Sequence, residues 1–397
     1  MGRAARKGWS TKPSERSEAR AVPGVAFSTT SDRIGRRRTG RMRRMPASLR
    51  TSAEALASDF DVALLDLDGV VYVGRDAVPG AADALRAARE QGMRLAFVTN
   101  NAARPPSAVA AHLTELGIAA DPAEVITSSQ AAAHYLAERL PGGANVLVVG
   151  TTGLVEALRE RGLTPVFSAD DDPAAVVQGY SPDLDWHQLA EGAVVIRRGR
   201  PWIATNLDPT VPSPRGPLPG NGSLVAALRH ATGVTPVATG KPDPTMHRES
   251  VERSAAHRPI VVGDRLDTDI EGARRVGCPS LLVLTGVTTP LEVITASEQL
   301  RPDFVGADLS ALLHPHPAPS VDGARARCGA WSVEVDGDEL RLAGGDDDRA
   351  AVDDLDPFRA LIAAAWAVAD RGENAPRDWR FAADGAATEA LRRLDLA

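Results

Sequence analysis

Short apolar runs that stop at a carboxylate or an amide recur along this chain, and they constrain its fold more than any other feature. Asp61-Val62-Ala63-Leu64-Leu65-Asp66-Leu67-Asp68-Gly69 is such a run: apolar without alternation, and polar only at its carboxyl end. It reads as a buried parallel strand with functional groups at its tip. Leu95-Ala96-Phe97-Val98-Thr99-Asn100-Asn101 repeats the design, and Val125-Ile126-Thr127-Ser128 shortens it. Pro259–Gly263, which ends at Asp264, and Leu281–Leu284 follow later. Helical stretches are expected at about 79–91, where Pro79 opens and Gly92 closes, at 105–116 and at 268–276. Alternating strands and helices predict an α/β fold, a doubly wound parallel sheet.

A second pattern interrupts the first. Asn145–Gly150, Ala174–Gly179 and Ala193–Arg197 are strand-like, with helical stretches at about 152–161 and 184–190. The expected organisation is a core over 51–130 and 206–312 with an inserted α/β domain over 131–205. Ser223 is placed to cap a helix over 224–231. Residues 313–321, with His314-Pro315-His316-Pro317, read as a linker. Residues 322–397 form a small α+β module, with a hairpin across Gly337-Asp338 and an Ala-rich amphipathic helix over Asp356–Asp370. This tail reads either as an acyltransferase-like remnant or as the oligomerisation element of a homodimer.

Charge is unevenly distributed. Residues 1–50 carry 14 Lys/Arg against 3 Asp/Glu, so the whole-chain net charge of −7 leaves −18 for the remainder. The head could be a nucleic-acid-binding arm. The reading adopted is plainer, a disordered extension or sequence upstream of a start at Met45, with no nucleic-acid partner. No apolar run is long enough to span a bilayer, and no signal-type h-region follows the arginines. Cys278 and Cys328 have no metal-type spacing and need no oxidising compartment, which fits the cytoplasm. Of 45 basic residues only Lys7, Lys12 and Lys241 are lysines. Where a compact point charge must fit a tight phosphate site an arginine is no substitute, so Lys241 stands out on composition alone.

In an open α/β sheet ligands bind beyond the carboxyl ends of the strands. Four runs deliver polar groups there: Asp66 and Asp68, Thr99 and Asn100, Lys241 after Pro236–Gly240, and Asp264, with Asp269 five residues on. Converging carboxylates repel one another unless a cation compensates. Oxygen ligands without Cys or His indicate a hard cation, Mg²⁺ beside phosphate. Such a cation and Lys241 would screen a phosphate from an attacking carboxylate, while Thr99 and the backbone N–H groups after Asp66, at Gly69 among them, held its oxygens. Asp68 can protonate a leaving alkoxide and later deprotonate water. A lone Asp-X-Asp-Gly is more often a turn, and a strand-end Thr more often a cap. Four strand ends in the right order are harder to explain that way.

Asp66-Leu67-Asp68-Gly69-Val70, Val98-Thr99-Asn100-Asn101, Gly240-Lys241-Pro242 and Gly263-Asp264-Arg265-Leu266-Asp267-Thr268-Asp269 resemble the four motifs of the haloacid dehalogenase (HAD) superfamily. Thr205-Asn206-Leu207-Asp208 and Pro219-Gly220-Asn221-Gly222-Ser223 are similar to its class IIA, NagD-like phosphatases, as is an inserted cap. The resemblance spans about 58–310. It implies Asp66 as nucleophile and metal ligand, and Asp68 as acid/base and carbonyl ligand. It further implies that Thr99, Asn100 and Lys241 bind the phosphoryl group, that Asp264 is a metal ligand, and that Asp269 supports it. Asp267 has no implied role and reads as an exposed helix-start charge. With its extra tail and Arg-rich composition, the chain resembles the actinobacterial glycerol-3-phosphate phosphatases of this class.

Three readings compete. A phospho-accepting receiver also combines acidic residues, Thr and Lys on such a sheet, but it needs neither the second Asp of Asp-X-Asp nor a cap. A phosphomutase remains open on the same scaffold, as does a phosphatase for nucleotides, pyridoxal phosphate or phosphoglycolate. Gln178-Gly179-Tyr180 follows a cap strand and resembles the specificity segment of class IIA enzymes. Its polar character, with Tyr180 and Trp186 the nearby rings, suits a small polyol phosphate such as glycerol 3-phosphate better than a nucleobase.

Overall fold

The computed structural model describes residues 48–211, 213, 215–344, 354–372, 376 and 378–397. The basic head up to residue 47 lies outside the described residues. Six parallel strands form the main sheet, in the order Phe304–Gly306, Ser280–Val283, Pro259–Gly263, Val62–Leu65, Arg94–Thr99, Val125–Thr127. The chain begins in the middle, builds to one edge, then returns beside its first strand and builds to the other. The order reverses between Val62–Leu65 and Pro259–Gly263, which opens a crevice beyond their carboxyl ends. Val62 and Leu64 pack with Ala96, Val98 and Met246 on one face, and Ala63 and Leu65 with Phe97 and Ile260 on the other. Both faces are covered, so the run needs no polar alternation.

A second sheet of five parallel strands runs Val237–Ala238, Trp202–Ala204, Ala175–Gln178, Asn145–Val149, Thr164–Val166. Three expectations are corrected here. Val237–Ala238, read as feeding the core sheet, pairs with Trp202–Ala204, so the cap sheet draws strands from well past residue 205. Ala193–Arg197 is the end of a helix, Trp186–Arg197, that buries Val195 and Ile196 on the cap sheet. A short apolar run fits a buried helix face as well as a strand, and only packing separates the two. The helix expected at 224–231 starts at Asn221, and Ser223 does not cap it but donates to the Pro209 carbonyl at 2.7 Å.

The cap presents its carboxyl edge to the core. Thr151 donates to the Ala103 carbonyl at 2.9 Å. A Cβ on Gly153 would lie 2.6 Å from the Ala102 carbonyl. The loop after strand Arg94–Thr99 thus abuts the cap's own strand ends.

The tail sheet runs Ser320–Asp322, Arg325–Cys328, Trp331–Asp336, Glu339–Ala343, Arg380–Ala383, antiparallel except for the last pair. The expected hairpin is present, but the segment read as a linker is built into the fold. Ser320 already belongs to the sheet, and His316 is buried, its backbone paired with Ser52 and its Nε2 2.8 Å from the Ala311 carbonyl. Helix Asp356–Asp370 is buried on nearly every side, not amphipathic, because it lies between two sheets. Phe358, Leu361 and Ile362 share one apolar cluster with Leu282, Val293 and Val305 of the core and Val333 and Leu340 of the tail. Trp366 Nε1 donates to the Val293 carbonyl at 3.0 Å and Arg359 to the Val305 carbonyl at 3.2 Å. Phe358, Leu361 and Ile362, each fully buried, contribute about 1.5–3 kcal/mol apiece, so the tail helix is a structural layer of the core. Among the described residues no helix is long and apolar enough to cross a membrane.

Candidate active site

The crevice between Val62–Leu65 and Pro259–Gly263 collects the polar strand tips. Asp66 follows the first strand and its N–H donates to the Val262 carbonyl at 2.8 Å, which continues the ladder one residue and fixes the carboxylate at the edge. Gly69 then turns the chain with φ +86°, and a Cβ there would sit 2.6 Å from Asp264 Oδ2. Both conformation and space require glycine. Thr285 Oγ1 ties this turn down by donating to the Gly69 carbonyl at 2.6 Å.

Lys241 Nζ donates to Asp66 Oδ1 at 2.5 Å, to Asp269 Oδ1 at 2.6 Å and to the Val98 carbonyl at 3.4 Å, with the residue only 4% exposed. Burial alone would lower its pKa, but Asp269 and Asp66 outweigh burial and hold the ammonium above its ordinary value. Burial raises Asp66 well above the usual carboxylate range, with Asp269 and Asp264 adding repulsion against the opposing pull of Lys241. Asp269 spends its other oxygen on the Arg265 N–H at 3.2 Å. Asp264 is wholly buried, and its Oδ2 accepts the Val287 N–H at 2.7 Å. Its Oδ1 is buried with no hydrogen-bond partner, and burial, followed by Asp269, pushes its pKa up to about 6.

One ammonium faces three carboxylates here, and oxygens of Asp66, Asp264 and Asp269 lie within 4.8 Å of one another. An orphaned carboxylate oxygen in an oxygen-only cluster fits a hard divalent cation, which would supply the missing charge.

Asp68 lies at the mouth of the crevice. Its side chain is solvent-accessible, yet the surrounding protein displaces enough water to raise its pKa against the pull of Lys241, Arg104 and His112. Thr99 is buried, and its Oγ1 accepts the Asn101 N–H at 3.1 Å, leaving the hydroxyl proton to give away. Asn100 differs from the expected phosphoryl-binding side chain. Its Oδ1 accepts the Lys241 N–H at 2.9 Å, while its Nδ2 donates to the Lys241 carbonyl at 3.2 Å and to Asp208 Oδ2 at 3.1 Å. The amide is committed to holding Lys241. Asp267 is exposed, as expected, and pairs with Arg265 at 2.8 Å.

The cap segment splits. Gln178 is wholly buried and neither amide atom has a partner, so it is not an exposed lid residue. Gly179 packs on the core, where a Cβ would lie 3.0 Å from the Ala102 Cβ. Tyr180 alone of the three remains partly exposed.

Sequence reasoning missed three features. Thr285–Val287 supports Gly69 and Asp264, and its one signal was Gly286, where a Cβ would lie 2.0 Å from Asp264 Oδ2. Asp208 lay within a quoted motif without a role. His247 is buried with both ring nitrogens unpartnered, and burial, reinforced by Lys241, lowers its pKa to about 4. Nothing local marked it.

Residues 63–164 match the haloacid dehalogenase-like hydrolase family, 238–312 a HAD-hydrolase-like family, and 328–396 a GCN5-related N-acetyltransferase-like domain. The chain is 45% identical over 347 residues to a D-glycerol 3-phosphate phosphatase of Mycobacterium tuberculosis, covering 86% of this chain and 96% of that relative. The crystal structure of a glycerol phosphate phosphatase from that organism in complex with magnesium superimposes with a TM-score of 0.77 at 43% identity, covering 87% of this chain and 99% of the other. A p-nitrophenyl phosphatase from Archaeoglobus fulgidus matches with a TM-score of 0.60 at 30% identity, over 64% of this chain and 98% of its own. With the motif-bearing strand tips gathered at one switch point, a facing cap and these similarities, the chain belongs to the haloacid dehalogenase-like hydrolases, in the class IIA, NagD-like phosphatase branch.

Proposed function

We propose that the protein hydrolyses a small polyol phosphate, glycerol 3-phosphate above others, through a phospho-aspartyl intermediate on Asp66. The observation that carries the mechanism is the meeting of Asp66, Lys241 and the half-unpartnered Asp264 at the switch point. Asp66 and Asp264, with the Asp68 carbonyl, would hold Mg²⁺, and Asp269 would support that set. When bound, the ion balances the excess carboxylate charge and screens the substrate phosphate from Asp66. Lys241 and the free hydroxyl proton of Thr99 bind phosphoryl oxygens, joined by the backbone N–H groups of Leu67 and Asp68; the Gly69 N–H, expected among them, is instead spent on the Tyr72 carbonyl at 2.8 Å. Asp66 attacks phosphorus, an acyl-phosphate bond forms, and the ester P–O bond breaks. Asp68, kept protonated more readily by its raised pKa, gives its proton to the departing alkoxide. It then takes a proton from water as that water attacks the acyl phosphate, which returns Asp66 and inorganic phosphate.

The substrate assignment is supported by the similarity to glycerol phosphate phosphatases along nearly their whole length. The cap edge carries rings of its own, Tyr180 partly exposed and the Trp186 indole 73% exposed, so the assignment rests on that similarity and not on a missing stacking surface. We place the enzyme in the cytoplasm, where two cysteines not joined in a disulfide are at home. Steady-state kinetics with saturating Mg²⁺ on glycerol 3-phosphate, phosphoglycolate, pyridoxal phosphate and a nucleoside monophosphate test the substrate. A higher kcat/KM for the nucleotide overturns it. Asp66→Asn should retain the fold and lose more than about a thousandfold in kcat, and rapid quench of the native enzyme should yield a hydroxylamine-labile phosphoenzyme. Turnover by the Asn variant near the native rate excludes the covalent step.

A further inference from the structure

We infer that Asp208 is a positioning residue for the phosphate-binding lysine, acting through Asn100. An amide side chain can sit in either of two flipped orientations, and here its surroundings permit one. Asn100 Oδ1 accepts the Lys241 N–H, and its Nδ2 serves both the Lys241 carbonyl and Asp208 Oδ2. Flipping the amide would set NH₂ against N–H at one end and oxygen against a carboxylate and a carbonyl at the other. Asp208 supplies the charged acceptor that selects the observed orientation.

Asp208 is itself held by the strap that leaves cap strand Trp202–Ala204, reaches the core at Asn100 and runs on into cap helix Asn221–Thr232. Its N–H donates to Asn206 Oδ1 at 3.2 Å, and Asn206 Nδ2 donates to the Asn100 carbonyl at 2.7 Å. Asn221, the first residue of cap helix Asn221–Thr232, donates to the Asn206 carbonyl at 2.8 Å. The strap therefore grips Asn100 by both side chain and carbonyl, and the cap grips the strap. There is little slack: a Cβ on Gly240 would lie 2.3 Å from the Thr205 carbonyl and 2.8 Å from Asn100 Oδ1. Reacting groups tolerate little misplacement, so a shift of the Lys241 backbone carries straight to its ammonium between Asp66 and Asp269.

The test is a double-mutant cycle on Asp208→Ala and Asn100→Ala, read as kcat/KM for glycerol 3-phosphate and as the inhibition constant of inorganic phosphate. Asp208→Ala should weaken phosphate inhibition about tenfold. Asp208→Asn, which keeps an acceptor, should recover most of that loss. The double variant should be no worse than Asn100→Ala, because a residue acting through Asn100 has nothing left to position. Multiplicative losses would mean that Asp208 acts on substrate by another route and overturn the proposal, as would native phosphate inhibition in Asp208→Ala. Should circular dichroism find Asp208→Ala unfolded, the cycle is run with Asp208→Ser. The proposal rests on Lys241 binding the phosphoryl group, and Lys241→Ala tests that reading separately. Unchanged phosphate inhibition in Lys241→Ala removes the reading, whereas additive losses beside a phosphate-blind Lys241→Ala remove only the role of Asp208.

Discussion

Replacing Lys241 by arginine keeps the charge and should still disable the enzyme. The ammonium places single nitrogen-to-oxygen contacts of 2.5 and 2.6 Å on two carboxylates that belong to different segments, with the Val98 carbonyl 3.4 Å behind. A guanidinium is longer, planar and forked, and cannot offer one nitrogen to both oxygens from that point. The backbone cannot retreat to make room, because Asn100 holds both the N–H and the carbonyl of Lys241. Overpacking of this kind costs about 1–3 kcal/mol of stability. Misplacing one phosphate-binding donor should cost about 2–4 kcal/mol in kcat/KM, roughly 30- to 1000-fold. Lys241→Met separates the two effects, since it removes the charge at similar length. It leaves Asp66 and Asp269 uncompensated, and should lower the unfolding free energy by about 3–5 kcal/mol at pH 7 without Mg²⁺. Urea denaturation followed by circular dichroism measures the second effect, and steady-state hydrolysis of glycerol 3-phosphate the first. An arginine variant within about threefold of native kcat/KM would show that no compact cation is needed and refute the argument.

Protons and Mg²⁺ should compete at Asp264. Its carboxyl, raised to about 6 in the folded protein, is protonated below that pH and must ionise to accept a cation. The Mg²⁺-induced rise in Tm should therefore be full above about pH 7 and fade as pH falls through 6; scanning calorimetry that finds equal shifts at pH 5 and 7.5 contradicts this. Trp366→Ala removes a buried ring bonded to the Val293 carbonyl and should cost about 3–5 kcal/mol in urea denaturation. Deleting residues 322–397 uncovers Leu282 and Val305 and should reduce soluble yield, a result to be checked by sedimentation of the lysate. Removing residues 1–44 should leave kcat/KM and Tm unchanged, and a loss of either would mean that the basic head serves the enzyme.

Side-chain chemistry is a local property, and the sequence by itself determined most of it. The unalternating runs before Asp66, Thr99 and Asp264 announced strands buried on both faces, and parallel strands of that kind present their tips at one edge. The scarcity of lysine marked Lys241 before any partner was known, and oxygen-only ligands marked the kind of cation. What pairs with what is not local, and only the tertiary structure decided it. Two residues, Val237–Ala238, carry too little pattern to choose between sheets, and their hydrogen bonds to the cap chose for them. Ala193–Arg197 became helix because its apolar face met the cap sheet, and Asp356–Asp370 lost its polar side because two sheets enclosed it. Asn100 reads as a strand-tip ligand until Lys241, 141 residues away in sequence, takes up its amide. Asp208 and Thr285 likewise gain their partners only when distant segments meet. A hydrogen-bond partner is set by position in space, and distance along the chain does not encode it.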